Sequence, residues 1–134
     1  MRTTEDLKQA VHTLVPRERA NKYYAQLFQA LRIEVNDEVG ALKSMLSQLP
    51  ELIKPGGRLA VLSYHSLEDR PVKHLIQRGN PEGELDPDAY GHSYRPFVPI
   101  SRGVLRPSAQ ELQDNPRARS ARLRLAERQP LDAR

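Results

Sequence analysis

The stretch RLAVLSYHSLEDR, residues 58–70, indicates the fold more clearly than any other part of the chain. Four consecutive apolar residues (59–62) lead into a run of polar and charged side chains, and a Lys-Pro-Gly-Gly turn (54–57) precedes them. A continuous apolar run is typical of a strand that is covered on both faces, as in a parallel sheet. Because open α/β sheets bind ligands at the carboxyl ends of their strands, the polar residues after this strand form a candidate ligand-binding loop.

Helical patterns precede this strand. Residues 3–6 read as a capped helix start, and Pro16 closes the first helix. A second apolar stripe at helical spacing predicts one long helix, or two with a break near 36–37, ended by Pro50. This stripe is ordinary core packing, and its members are Tyr24, Leu27, Phe28, Leu31, Val35, Val39, Leu42, Met45, Leu46 and Leu49.

Shorter elements follow the strand. The pattern predicts a helix over 67–78 with Ser66 as its N-cap, a loop over 79–99 and a short strand around 97–101. A capping box at 108–111 predicts a brief helix. Alternation over 120–127 predicts a half-buried strand, with the leucines on one side and the arginines on the other.

Composition narrows the class of protein. The 134 residues suffice for one compact domain, and the absence of cysteine excludes disulfides and thiolate metal sites. His12, His74 and His92 lack neighbours at ligand spacing, so we assign no metal. No apolar run reaches the roughly 20 residues of a membrane span, and the start lacks a signal-peptide core. We therefore expect a cytoplasmic protein without a membrane partner.

The positive charge is concentrated near the carboxyl end. The net charge is +4, yet residues 95–134 hold nine arginines against four acids, which gives this segment +5. Arginine suits bidentate phosphate contacts, so the segment hints at nucleic acid. From the charge alone, a solvated surface is the simpler explanation.

The polar run after the strand is the first candidate site. Ser66 and His65 are adjacent, which points their side chains apart and disfavours a catalytic triad. A purely structural reading makes Ser66 a cap, Glu68 and Asp69 first-turn acids, and Arg70 a partner of one of them. That reading leaves His65 unexplained.

Two further clusters are rich in arginine. Arg117 and Arg119 could clamp phosphate, remain solvated or pair with Glu68 or Asp69. The loop that holds Tyr90, Tyr94, Arg95 and Arg102 could stack bases, although such loops more often cover a neighbouring surface. No two glycines are spaced as Gly-x-Gly, so a complete nucleotide-type cofactor site is absent from the chain.

Four segments together with the Pro-Gly-Gly turn resemble the ribosomal RNA small-subunit methyltransferase H family, also called MraW. They are RTTEDL (2–7), FQALRI with VNDE (28–33 and 35–38), YHSLEDR (64–70), and NPRARS with LAER (115–120 and 125–128). The resemblance runs from Arg2 to about Arg128. Tyr64 stands where the family more commonly has Phe.

The resemblance implies transfer of a methyl group from S-adenosylmethionine to N4 of a cytidine in 16S ribosomal RNA of the small ribosomal subunit. It implies an α/β fold: the carboxyl-terminal part of a class I Rossmann-like methyltransferase sheet, plus helices from an all-α insertion. Residues 1–36 would end the insertion, 37–128 would close the methyltransferase domain, and 129–134 would be a tail. The family residues that hold the cofactor have no counterparts here, so the fragment alone should be inactive.

The resemblance also frames the candidate residues. We expect His65 or Asp69 to help position the target base, without assigning a catalytic base. The residues expected to contact RNA are Arg70, Lys73, Arg102, Arg117 and Arg119. The alternatives are a free-standing basic RNA-binding or ribosome-assembly module and a fragment without its own function. An open sheet edge would favour a homodimer.

Overall fold

A computed structural model describes residues 2–84 and 94–130, which fall into two compact units, 1–38 and 39–134. The helices are α1 (Thr4–Val11), α2 (Ala20–Asn36), α3 (Glu38–Leu52), α4 (Ser66–Arg78) and α5 (Ala109–Asp114). The strands are β1 (Arg58–Ser63), β2 (Phe97–Pro99) and β3 (Arg122–Arg128), and 3-10 turns cover His12–Leu14, Arg17–Arg19 and Pro116–Ser120. The assignment of the chain to an insertion, a methyltransferase domain and a tail stays a prediction.

The first unit consists of α1, α2 and two 3-10 turns. The predicted capping box is confirmed, because Thr3 Oγ1 accepts from the Asp6 amide at 3.1 Å and Asp6 Oδ2 accepts from the Thr3 amide at 3.1 Å. The Lys8 ammonium lies 5.8 Å from the centre of the Tyr24 ring, which is within cation–π range. This contact links α1 to α2.

The long helical pattern is two helices, broken at Asp37, which adopts a left-handed conformation (φ 47°). The prediction that Pro50 ends the second helix is wrong: α3 continues to Leu52, and the Ile53 amide still donates to the Leu49 carbonyl at 2.9 Å. The expected core packing of the stripe is confirmed in α3, where Leu46 is buried and Leu42 and Leu49 pack against the same core cluster. In α2 no residue is buried, Leu27 and Phe28 are half-buried, and Val35 is 81% exposed.

The second unit contains a three-stranded antiparallel sheet in the order β1-β3-β2. Leu59 lies opposite Ala126, and Ser63 lies opposite Arg122, so β3 begins beside the point where β1 ends. Within the described residues, β1 pairs on one side only. The α/β class is consistent with this sheet and its helices.

One face of the sheet carries the core. Leu59 and Ala126 on this face pack with residues of α3, α4 and β2, and the fully buried members of the cluster include Leu46, Val72, Leu75 and Phe97. Burying one such side chain stabilises the fold by about 1.5–3 kcal/mol.

The opposite face of the sheet is apolar and largely uncovered, so the prediction that β1 is covered on both faces is wrong for this chain. Leu62, 54% exposed, lies opposite Leu123, which in turn bridges to Leu105. These three leucines form a row across the sheet. We call this surface the outer face.

The amino-terminal end of α4 differs from the prediction, and the carboxyl-terminal end agrees with it. Ser66 is the first helical residue, and the N-cap is His65, whose extended backbone (φ −146°) precedes the helix without a side-chain cap. At the other end, Gly79 is left-handed (φ 91°), as suits a helix C-terminus. None of the helices in the described ranges is both long and apolar enough to cross a membrane.

Candidate functional site

Two polar clusters that are far apart in sequence meet at one end of the sheet. The loop after β1 holds Tyr64 and His65, and the 3-10 turn Pro116–Ser120 leads into β3. Because Ser63 pairs with Arg122 and its Oγ donates to the Arg122 carbonyl at 3.5 Å, the exit of β1 and the entry of β3 are neighbours. We call this end of the sheet the exit corner.

Asp69, in the first turn of α4, is the centre of an ionic network at the exit corner. Arg124 Nε donates to Asp69 Oδ1 at 2.7 Å, and Arg124 Nη2 donates to Oδ2 at 2.9 Å. Arg122 Nη1 lies 3.5 Å from the same Oδ2. The side chains of Asp69 and Arg124 are 9% and 12% exposed.

The network fixes the charge of Asp69. Hydrogen bonds from Arg124 hold the pKa of the Asp69 carboxyl below its usual value, and the charges of Arg124 and Arg122 act in the same direction, whereas burial opposes them. The carboxylate is therefore ionised and engaged on both oxygens. It ties α4 to β3 and has little capacity left for a substrate.

His65 forms the turn between β1 and α4. Its Nε2 lies 3.0 Å from Glu68 Oε1, but the alignment does not make a hydrogen bond. Glu68 Oε2 accepts instead from the Tyr64 amide at 3.2 Å. Both His65 ring nitrogens are shielded from solvent and have no hydrogen-bond partner among the described residues, which is unusual for buried polar atoms.

All five residues expected to contact RNA are exposed. Arg70 lies in the second turn of α4 and Lys73 near its middle, and Arg117 and Arg119 lie in the turn before β3. Arg102 is also exposed, but it lies beside the edge of β3 that is opposite β1. These cations therefore lie on three different elements: α4, the turn before β3, and the segment on the side of β3 away from β1.

The partners of Asp69 differ from those that the sequence suggested. Neither Arg70, Arg117 nor Arg119 pairs with Asp69; Arg122 and Arg124 do. The alternation in β3 was correctly predicted, but α4 covers the face that carries the arginines, while Leu123 and Leu125 lie on the outer face. The signal available in the sequence was the Arg-x-Arg spacing in a strand, which places both guanidinium groups on one face.

The remaining candidates lie elsewhere. Tyr94 accepts a hydrogen bond at 2.9 Å from Arg128, a buried arginine that also donates to the Pro50 carbonyl at 2.9 Å. Tyr94 thus serves the fold, while Tyr90 and His92 lie outside the described residues. In the part of the chain that the structure describes, no three histidine or acidic side chains converge as a metal site would require.

The chain contains an α/β domain with a candidate site for an anionic ligand. At this site the carboxyl end of β1 meets a polar loop, the start of α4 and an arginine-bearing turn. Comparison with known proteins then gives the family. The model of the MraW methylase family matches residues 1–129, and the chain belongs to this family.

Curated relatives agree with this assignment. A protein of Amoebophilus asiaticus named ribosomal RNA small subunit methyltransferase H is 55% identical over 129 residues, which is 96% of this chain and 42% of the relative. Proteins with the same name from Cytophaga hutchinsonii and Bacteroides thetaiotaomicron are each 48% identical, over 94% and 96% of this chain. The chain spans about two fifths of the length of these relatives.

Proposed function

We propose that this chain is the carboxyl-terminal part of an S-adenosylmethionine-dependent methyltransferase that modifies N4 of a cytidine in 16S ribosomal RNA. The observation that carries the proposal is the family match over residues 1–129, with relatives named for methylation of small-subunit RNA. Its partner would be the RNA of the small ribosomal subunit, and its location the cytoplasm.

The arrangement of charge supports an RNA substrate. Arg70 and Lys73 on α4 and Arg117 and Arg119 in the turn before β3 are exposed, and no ion pair occupies them among the described residues. Exposed cations supply the phosphate contacts on which affinity for RNA depends. Arg102 would contact a different part of the RNA, because it lies beyond β3.

His65 is the best candidate for contact with the target base. Its Nδ1 has no partner among the described residues, its Nε2 lies 3.0 Å from Glu68 Oε1 without hydrogen-bond alignment, and the ring stands at the carboxyl end of β1. We assign it the role of positioning the target base or its neighbour. Asp69 has a different role, since Arg124 already occupies both of its oxygens: it holds α4 and the His65 turn against β3.

The methyl donor has no assigned residue in this chain. The sequence holds no Gly-x-Gly loop, and the residues at the exit corner are mainly cationic or already paired. They do not fit a complete donor site, so we expect the chain alone to be inactive.

A pair of titrations tests this proposal. Calorimetry with S-adenosylmethionine should give no heat of binding to the isolated chain, and titration with single-stranded RNA should give binding that weakens between 50 and 200 mM salt. Binding of the donor by the chain alone would overturn the claim of inactivity. Absence of RNA binding would count against the RNA contacts proposed here.

A free-standing RNA-binding or ribosome-assembly module is the second candidate function. The observation that favours it is that the second unit has a core of its own, with Leu46, Leu75 and Phe97 buried to 1% exposure or less. The test places residues 1–134 in a longer protein and substitutes the exposed cations. Loss of RNA binding without loss of methylation would support the module instead.

A further inference from the structure

Asp69 pairs with two arginines, and Arg122 makes fewer and longer contacts to it than Arg124 does. Arg124 binds both carboxylate oxygens at 2.7 and 2.9 Å and is 12% exposed. Arg122 makes one contact at 3.5 Å, longer than a good charge-assisted hydrogen bond, and its side chain is 29% exposed. A guanidinium carries five N–H donors, so Arg122 keeps most of its hydrogen-bonding capacity.

Arg122 lies at the exit corner, next to the turn that carries exposed arginines. It is the first residue of β3 and lies opposite Ser63, the last residue of β1. The turn that bears Arg117 and Arg119 ends two residues earlier, at Ser120. Arg122 is therefore the residue that joins the Asp69 network to the exposed cations of the exit corner.

We infer that Arg122 binds a phosphate of the RNA backbone and that Asp69 positions it for this contact. The inference rests on the RNA substrate proposed above and adds a residue to it. Contact with one carboxylate oxygen holds the guanidinium in place, and a planar fork suits phosphate geometry. Because Arg124 satisfies Asp69 bidentately, Arg122 can turn its outward N–H groups to a phosphate without leaving the carboxylate unpaired.

A comparison of two arginines provides the first test. Arg58 is a matched control: it lies at the opposite end of the same strand pair and makes a single ion pair with Glu127 at 3.9 Å. We expect Arg122→Gln to weaken binding of a labelled single-stranded oligoribonucleotide about threefold to tenfold and to reduce the salt slope by about 0.7, one phosphate contact. Arg58→Gln should leave both unchanged. Equal effects of the two substitutions would overturn the inference.

The sign of the effect at Asp69 provides the second test. If Asp69 were only a negative charge near the RNA, Asp69→Asn would tighten binding. If it positions Arg122, Asp69→Asn should weaken binding, and Arg122→Gln should then add little to it. Circular dichroism checks that each variant is folded. If Asp69→Asn unfolds, Asp69→Glu, which keeps the carboxylate but displaces it, replaces it and should likewise weaken binding; unchanged binding would overturn the positioning role.

The outcomes separate this inference from the proposed function. If the unmodified chain does not bind RNA, both fail. If it binds and Arg122→Gln behaves like Arg58→Gln, only the role of Arg122 is wrong. If Arg122→Gln reduces binding but Asp69→Asn increases it, the positioning role of Asp69 is overturned.

Discussion

Asp69 is the residue on which the local structure of the exit corner depends. Removal of one partner of a shielded ion pair leaves the other with an unpaired charge, and that penalty exceeds what the pair itself contributes. Asp69 and Arg124 are 55 residues apart in sequence and mutually bidentate, so they join α4 to β3 across the unit.

We predict that Asp69→Asn lowers the free energy of unfolding by about 2 kcal/mol at pH 7, because charge-assisted hydrogen bonds are lost. The depressed pKa of Asp69 sets the pH dependence. Its carboxylate contributes stability above the unfolded pKa of about 3.9, and this contribution disappears as the pH falls through the lower folded pKa. The difference between the variant and the parent should therefore shrink below pH 4.

Urea unfolding at pH 7, 5 and 3 measures this difference. Asp114→Asn is the control, because Asp114 is an exposed acid whose carboxylate accepts from Gln110 without an ion pair among the described residues. A loss that is the same at pH 3 as at pH 7 would contradict the assigned ionic contribution.

His65 tests the assignment of a functional side chain. In a longer protein that contains this chain, His65→Ala should lower methylation of small-subunit RNA while changing the melting temperature by no more than about 2–4 °C. His12→Ala, a change of an exposed histidine in the first unit, should alter neither. Full methylation by the His65 variant would reject the positioning role.

At the scale of elements, Gly79 determines how α4 ends. Its backbone is left-handed at φ 91°, and a Cβ added there would lie 2.1 Å from the Tyr94 carbonyl oxygen. The chain after α4 thus passes directly over the glycine. No other residue type fits without a shift of the backbone.

We predict that Gly79→Ala destabilises the second unit by more than about 2 kcal/mol, since backbone strain and a steric clash add together. Gly56→Ala is the matched control: Gly56 has a similar φ of 80°, but no atom lies within 4 Å of an added Cβ. It should cost about 1 kcal/mol. Thermal melts of both variants give the comparison, and equal losses would show that the close approach of Tyr94 is unimportant.

The elements were largely predictable from sequence, and their long-range contacts were not. Local signals located the ends of several elements, among them the Thr3 capping box, the Ser108 cap and Gly79. The N-cap of α4 lies one residue before the predicted Ser66. The Pro50 prediction failed because proline removes only its own N–H donor: the Ile53 amide still donates to the Leu49 carbonyl, and Arg128 binds the Pro50 carbonyl.

The site was predictable only in part, because local patterns locate its residues but not their long-range contacts. The sequence identified His65, Asp69 and the arginines of the 117–119 turn as separate clusters, and the antiparallel pairing of β1 with β3 brings them to one end of the sheet. The pairing of Asp69 with Arg122 and Arg124 depends on how α4 sits on β3, which no local pattern encodes.

At the scale of the whole molecule, the outer face leaves Leu62 and Leu105 exposed and Leu123 and Leu125 half-buried, and one edge of β1 is unpaired among the described residues. Leu62, Leu123 and Leu105 form a row, and Ala60 and Leu125 form the next. An uncovered sheet face with an open edge favours association with another chain or segment. The unpaired edge of β1 is therefore available to a further strand.

We predict that the isolated chain self-associates through this surface and that Leu62→Lys reduces the association. Light scattering at two concentrations, about tenfold apart, measures it. Leu52→Lys is the control, because Leu52 is 72% exposed on α3, whereas Leu62 is 54% exposed on the sheet. A chain that is monomeric at both concentrations, or equal effects of the two lysines, would contradict a homodimer through the sheet.

The most direct test of the central claim is a chimera. Residues 1–129 of this chain replace the matching 42% of the Amoebophilus asiaticus relative, and transfer of a labelled methyl group from S-adenosylmethionine to small-subunit RNA is measured. We predict transfer within about tenfold of that of the relative, with none from the chain alone. A folded chimera without transfer, or transfer by the chain alone, would contradict the claim.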